Sequence, residues 1–148
     1  MLDAIRRFFD TEMDRPAEAD ADALALAVGA LLLEVAESDD EFAAVERATV
    51  TDVLRERFSL DADRAARLLE LADAARRESS DVFQFTRLIS ETYDKPRKLA
   101  VVEALWRVVW SDGVLEAHED ALMHRLGTLL GLSHRELMAL KVRARDQA

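Results

Sequence analysis

Residues 104–119, ALWRVVWSDGVLEAHE, decide how the chain is read, because residues 31–46, LLLEVAESDDEFAAVE, repeat their pattern at an offset of 73. Leu32 falls on Leu105, Val35 on Val108, Ser38 on Ser111, Asp39 on Asp112, Phe42 on Leu115 and Glu46 on Glu119. Each copy runs from an apolar helical stretch through Ser-Asp to a glutamate seven places after the aspartate, and each leads into an amphipathic helical pattern. A supersecondary unit that recurs at a fixed offset marks a chain built of related halves. The expected architecture is all-α: one compact domain of about eight helices, 1–148, in two pseudo-twofold related halves around two central apolar helices. The halves are 22–79 and 80–148, preceded by an N-terminal helix and acidic connector, 1–21.

Working outward, Leu2, Ile5, Phe9 and Met13 fit one face of a first helix that should end before Pro16, since the residue preceding a proline avoids the α region. PAEADAD, residues 16–22, then reads as the connector. From Asp22 onward Leu24, Val28, Leu31 and Val35 make one face and Leu26, Ala30 and Leu33 another; a helix apolar nearly all round belongs in the core. Phe42, Val45, Thr49, Val53 and Leu54 keep helical spacing to Phe58-Ser59, and Asp61 or Asp63 can cap the next helix. Asp81 opens a helix expected to bury Phe85, Leu88 and Ile89. Asp94 precedes Lys95-Pro96, a suitable start for the second central helix, with Leu99, Val102, Trp106 and Val109 on one side and Val101, Leu105 and Val108 on the other. Leu122, Leu126 and Leu129 lead to a stop at Gly131, and Ser133-His134-Arg135-Glu136 has the spacing of a capping box before a last helix with Leu137, Leu140 and Val142.

Composition agrees with helix: 4 Gly and 2 Pro in 148 residues leave few breakers, and half the residues are hydrophobic, enough for one domain with a real core. The absence of Cys removes disulfides, thiolate metal sites and cysteine nucleophiles, and a reducing cytoplasm is the expected home. Arg6-Arg7 precedes Phe8-Phe9, but the next residues, DTEMDRPAEADAD, are polar where an export signal needs an apolar region, and the longest charge-free run, Ala23–Leu33, is well short of the roughly 20 residues that cross a bilayer. The net charge of −10 is uneven: residues 1–74 carry 19 acids and 8 bases, residues 75–148 11 acids and 12 bases. Such an acidic half repels phosphate backbones and anionic lipid, so the expected partner is a cation or a protein, with no nucleic acid, no membrane insertion, and a monomer or homodimer as the state.

The acidic stretch SDGVLEAHE, with a small residue, Asp-Gly, an aliphatic residue and a glutamate seven after the aspartate, resembles the TerB-like tellurite-resistance family, and SDDEFAAVE sits where that family has its first acidic turn. The resemblance spans roughly Leu24 to Arg143. It implies a small, cytoplasmic, all-helical protein linked to tellurite and stress-response systems, suspected of binding metal through these acids, with no established enzymatic activity. Asp40 stands where the family has Gly, a departure that bears on ligation by the first copy.

DGxxxxxE also matches the end of a calcium-hand loop, with Glu116 and Glu119 at its ninth and twelfth positions. Its first and third positions, however, are Val108 and Trp110, which offer no side-chain oxygen, so the stretch is not such a hand. Asp39 and Asp112 end apolar helices, where the helix dipole disfavours a carboxylate. Two compensations remain open. The carboxylates can cap the following helix, or Asp112, Glu116 and Glu119, with Asp39 and Glu46 as a poorer copy, can hold a hard divalent cation, Ca²⁺, Mg²⁺ or Mn²⁺, at micromolar to millimolar affinity. Glu37, Asp39, Asp40, Glu41 and Glu46 add a run of acids without a base until Arg47.

His118, His124 and His134 lack the spacing of a ligand pair on one helix and read as surface residues; Trp106, Trp110, Phe83 and Phe85 read as packing. With no GxSxG, phosphate-cradling glycine loop or HExxH, a non-enzymatic accessory protein is expected. The alternative is an acidic scaffold for a protein partner, with the turns purely structural.

Overall fold

The computed structural model describes residues 16–37, 44–113 and 115–147, with only the backbone described for 16–22, 44–46 and 112. Its helices are α1 (Pro16–Ala36), α2 (Ala44–Phe58), α3 (Ala62–Glu78), α4 (Phe83–Thr92), α5 (Lys95–Val109), α6 (Ala117–Leu129) and α7 (His134–Gln147), with a 3₁₀ turn at Trp110–Asp112. Among the described residues there are seven α-helices and no strand, against the eight helices expected; the first of those eight, residues 2–13, lies outside the described residues. All seven helices contribute to a single core.

The expected central helices are the most buried. Every residue of α1 from Leu24 to Leu33 is buried, and α5 buries Val101, Val102, Ala104, Leu105, Trp106, Val108 and Val109. The two touch, α1 packing chiefly on α3 and also on α2 and α4, and α5 on α7. Gly29 makes the α1–α3 approach close: a Cβ there would lie 3.4 Å from that of Ala72.

Helix ends follow local chemistry. Asp61 accepts from Arg64 N–H at 2.8 Å and Asp94 from Arg97 N–H at 3.1 Å, each satisfying a donor that the first helical turn leaves open. Ser133 and Glu136 form the expected capping box, Ser133 N–H donating to Glu136 at 2.8 Å and Glu136 N–H to Ser133 Oγ at 3.1 Å. Gly131, at φ +81°, stops α6: Leu132 N–H donates to Gly127 O at 2.9 Å and Gly131 N–H to Thr128 O at 3.0 Å, a Schellman closure. The end of α2 is similar, with Leu60 N–H on Arg55 O at 3.2 Å, but the left-handed position is Ser59, at φ +54°.

Three expectations need correcting. PAEADAD is the start of α1 rather than a connector, because proline is suited to the first helical position and alanines favour helix. On α4 the buried face is Phe85, Thr86 and Ile89, while Leu88 and Phe83, the latter 51% exposed, face solvent. Thr86 can be buried because its hydroxyl donates to Phe83 O at 3.0 Å, closing its polar group on its own helix. On α7, Val142 is exposed and Ala144 is buried instead, so the contact face ends on a small residue.

The candidate site at the acidic turns

The second acidic turn is built from the end of α5 forward. Ser111 Oγ donates to Val108 O at 2.6 Å, and Gly113 N–H to Trp110 O at 3.0 Å. Gly113 stands at φ +78°, a left-handed conformation that glycine adopts without strain and that turns the chain back toward α6. Trp110 anchors the turn on α7 by donating from Nε1 to Lys141 O at 3.1 Å. Lys141 Nζ in turn lies 5.5 Å from the centre of the Trp106 ring and 3.0 Å from Asp120, tying α5, α6 and α7 together.

Of the five acids expected to ligate a cation, Glu116 and Glu119 are brought together. Glu116 is the N-cap of α6, and the two make a capping box in which Glu116 N–H donates to Glu119 Oε1 at 3.2 Å. Glu119 is only 2% exposed and sits in the first turn of α6, where the open N–H groups and the dipole favour a carboxylate. Both glutamates are thus engaged at a helix start. The side chains of Asp112 and Glu46, and the whole of Asp39, lie outside what is described. Among the described residues, no group of three or more His, Asp or Glu side chains is placed to hold a metal ion.

At the end of α1 the structure adds a residue that sequence reading missed. Arg76, on the last turn of α3, reaches Glu34 at 3.2 Å, Asp73 at 2.9 Å and Glu37, gathering three carboxylates around a side chain 14% exposed. A guanidinium here also favours the carbonyl end of α1. The only signal in the sequence was a basic pair, Arg76-Arg77, ending a helix, and nothing linked it to an acid 39 residues earlier.

The remaining polar residues hold the surface together. His124 and His134 stack across α6 and α7 with ring centres 5.5 Å apart, and His124 Nε2 lies 3.5 Å from Asp120. Lys95 pairs with Glu136 at 2.8 Å, which together with the Ser133 backbone N–H pulls the Glu136 carboxyl down to about 2. Trp106 is fully buried in the core and Trp110 half-buried at its rim, as expected. Between α2, α5 and α7 runs a groove of about 860 Å³ with a floor of Val53, Ala100, Ala104 and Ala144; Trp110 also lines it, and Glu56 and Arg107 bond across its edge at 2.8 Å. That pairing lowers the Glu56 carboxyl and raises the Arg107 guanidinium from their ordinary values.

This helical frame can be set beside known proteins. The family model described as tellurite resistance protein TerB matches residues 25–142. The chain belongs to the TerB family. The match takes in both acidic turns and reaches from the buried part of α1 into α7, leaving the first 24 residues outside it. A crystal structure of a protein of unknown function from Porphyromonas gingivalis W83 is similar to the TerB-family chain at 24% identity and a TM-score of 0.63, covering 84% of this chain and 95% of that one, a likeness of fold. No curated protein matches the chain.

Proposed function

We propose that this TerB-family protein is a non-enzymatic accessory component of a tellurite or stress-response system in the cytoplasm, acting by binding a protein partner through its acidic half. The observation that carries this reading is the engagement of Glu119: a carboxylate 2% exposed and bonded to the backbone at the start of α6 supports a structural role for the second turn. On this reading the turn serves the frame, and recognition falls to acids of the first half beyond those held by Arg76. Residues 1–74 carry a net −11, more than solubility needs, which speeds association with a basic surface. The chain acts as a monomer or homodimer of two pseudo-twofold halves, a symmetry favoured by helix starts that stay within one residue of the repeat's offset: α2 begins at Ala44 and α6 at Ala117, α3 at Ala62 and α7 at His134.

The test uses a partner recovered on immobilised protein and then purified. Reversing Asp39, Asp40, Glu41 and Glu46 to Lys should slow its association at least tenfold and remove most of the dependence on ionic strength, an effect on the order expected of electrostatic steering. Association rates that ignore both salt and the reversal would overturn the reading.

A second reading is favoured by the inward placement of Glu119 next to Glu116: with Asp112 these acids form a weak site for Ca²⁺, Mg²⁺ or Mn²⁺, water completing the shell, and Asp39 with Glu46 a poorer copy. Each ion is titrated against wild type and against Asp112→Asn with Glu119→Gln while melting is followed. A rise in melting temperature confined to wild type supports the cation site; equal rises in both leave the turn as a cap.

A further inference from the structure

By the proposed relation of the two halves, the groove between α2, α5 and α7 corresponds to the space between α6, α1 and α3 that α4 occupies. Laying α5, α6 and α7 on α1, α2 and α3 leaves α4 as the helix that precedes the second half. It packs on α1 and α6. Its N-terminal turn meets the end of α3, where Gln84 bonds Ser79, and its C-terminal turn meets the end of α6, where Ser90 Oγ donates to Leu129 O at 3.3 Å. Exchanging each helix for its equivalent, α1 for α5, α3 for α7 and α6 for α2, turns this description into that of the groove. It runs along α5 past Ala100 and Ala104, from the end of α7 at Ala144 and Gln147 to the last turns of α2 at Val53 and Glu56. The element equivalent to α4 is the chain that precedes α1.

We infer that the groove is the docking site of this chain's own residues 2–13, seated on α5 and α2 as α4 is seated on α1 and α6. Leu2, Ile5, Phe9 and Met13 give that segment an apolar stripe at helical spacing, long enough to match the ten residues of α4. The floor of alanines accepts such a stripe because small side chains allow two helices to approach closely, while Trp110 offers an aromatic edge to Phe9. The charges flanking the stripe are of both signs, Asp3, Arg6, Arg7 and Asp10, as are those of the groove, Glu56, Arg57, Glu103 and Arg107. The connection is also alike: Tyr93 and Asp94 are extended between α4 and α5, and Arg15 precedes Pro16, a position that proline drives toward extended backbone. Being tethered at α1, the segment meets the groove at a high effective concentration, so a modest apolar contact suffices. The segment lies outside the residues matched by the family model, and the docking does not rest on the partner or cation readings.

The chain has no cysteine, which makes disulfide trapping clean. In the full-length protein, Phe9→Cys combined with Ala100→Cys in the groove should oxidise to an intramolecular disulfide on the order of tenfold faster than Phe9→Cys combined with Leu88→Cys on α4. In cysteine-free protein, Ile5→Asp with Phe9→Asp should increase acrylamide quenching of tryptophan fluorescence, because Trp110 loses its cover while Trp106 stays buried. Equal oxidation rates for the two pairs, disulfides formed only between chains, or quenching unchanged by the aspartates would each overturn the inference, the second of them assigning the groove to another copy.

Discussion

Replacing Arg76 with Met keeps an apolar stem of similar length and removes the charge that holds Glu34, Glu37 and Asp73 together. Removing one partner of a buried pair costs about 3–5 kcal/mol, because the other is left uncompensated, whereas exposed pairs are worth about 0–1 kcal/mol. Arg76 is 14% exposed and its three partners between 23% and 33%, so the site lies between these limits and nearer the buried one. Three acids left facing one another raise the cost, and water reaching them at their exposed edges lowers it. The expected loss is about 2–3 kcal/mol, or roughly 4–12 °C in melting temperature for a domain of this size. Urea unfolding followed by circular dichroism measures it, with the urea dependence unchanged if only the native state is affected. Adding Glu34→Gln and Asp73→Asn to Arg76→Met should restore about 1 kcal/mol or more by relieving the repulsion, a coupling that double-mutant analysis isolates. A single-variant loss below about 0.5 kcal/mol would show that the cluster behaves as an ordinary surface pair, and the account of how α3 secures the end of α1 would fail.

Three further outcomes follow from the helix ends and the core. Ser59→Gly should stabilise the protein by about 0.5–1 kcal/mol in urea unfolding, since left-handed backbone costs a side chain about 1–2 kcal/mol and glycine returns part of that as unfolded-state entropy. Leu32→Ala and Leu105→Ala, equivalent in the repeat and both fully buried, should each cost about 2–5 kcal/mol by the same measurement; a loss below 1 kcal/mol in either would place that helix away from the centre. Glu136 has its carboxyl lowered to about 2, chiefly by Lys95, so its stabilising effect is fully present above the ordinary value of 4.5 and is lost as pH falls toward 2. The melting temperature of wild type should therefore exceed that of Glu136→Gln at pH 6 and converge with it between pH 4.5 and 2; a gap constant across that range refutes the role of the charge.

The acidic turns and the helix ends divide what was legible along the chain from what was not. Capping is a local affair, settled within three or four residues, and for that reason Ser133 with Glu136 and Gly131 could be assigned from spacing alone, while spacing narrows the α3 cap to Asp61 or Asp63 and marks Asp94 only as the residue before a Lys-Pro helix start. The central helices were legible for a different reason: burial on all sides demands apolar residues on all sides, and only α1 and α5 supply them. Chain order alone could not show Arg76 reaching across 39 residues to Glu37, nor that PAEADAD continues a helix when proline permits either a start or a stop there. It also left open whether the carboxylates of the second turn cap α6 or hold a cation, since both fates suit a carboxylate beside a helix start. Local hydrogen bonds and hydrophobic period act between near neighbours and are written in the order of residues. Ion pairs between helices, the exposure of Leu88, and the groove on α5 depend on how far apart and at what angle the helices come to rest, and that is decided only when the core closes.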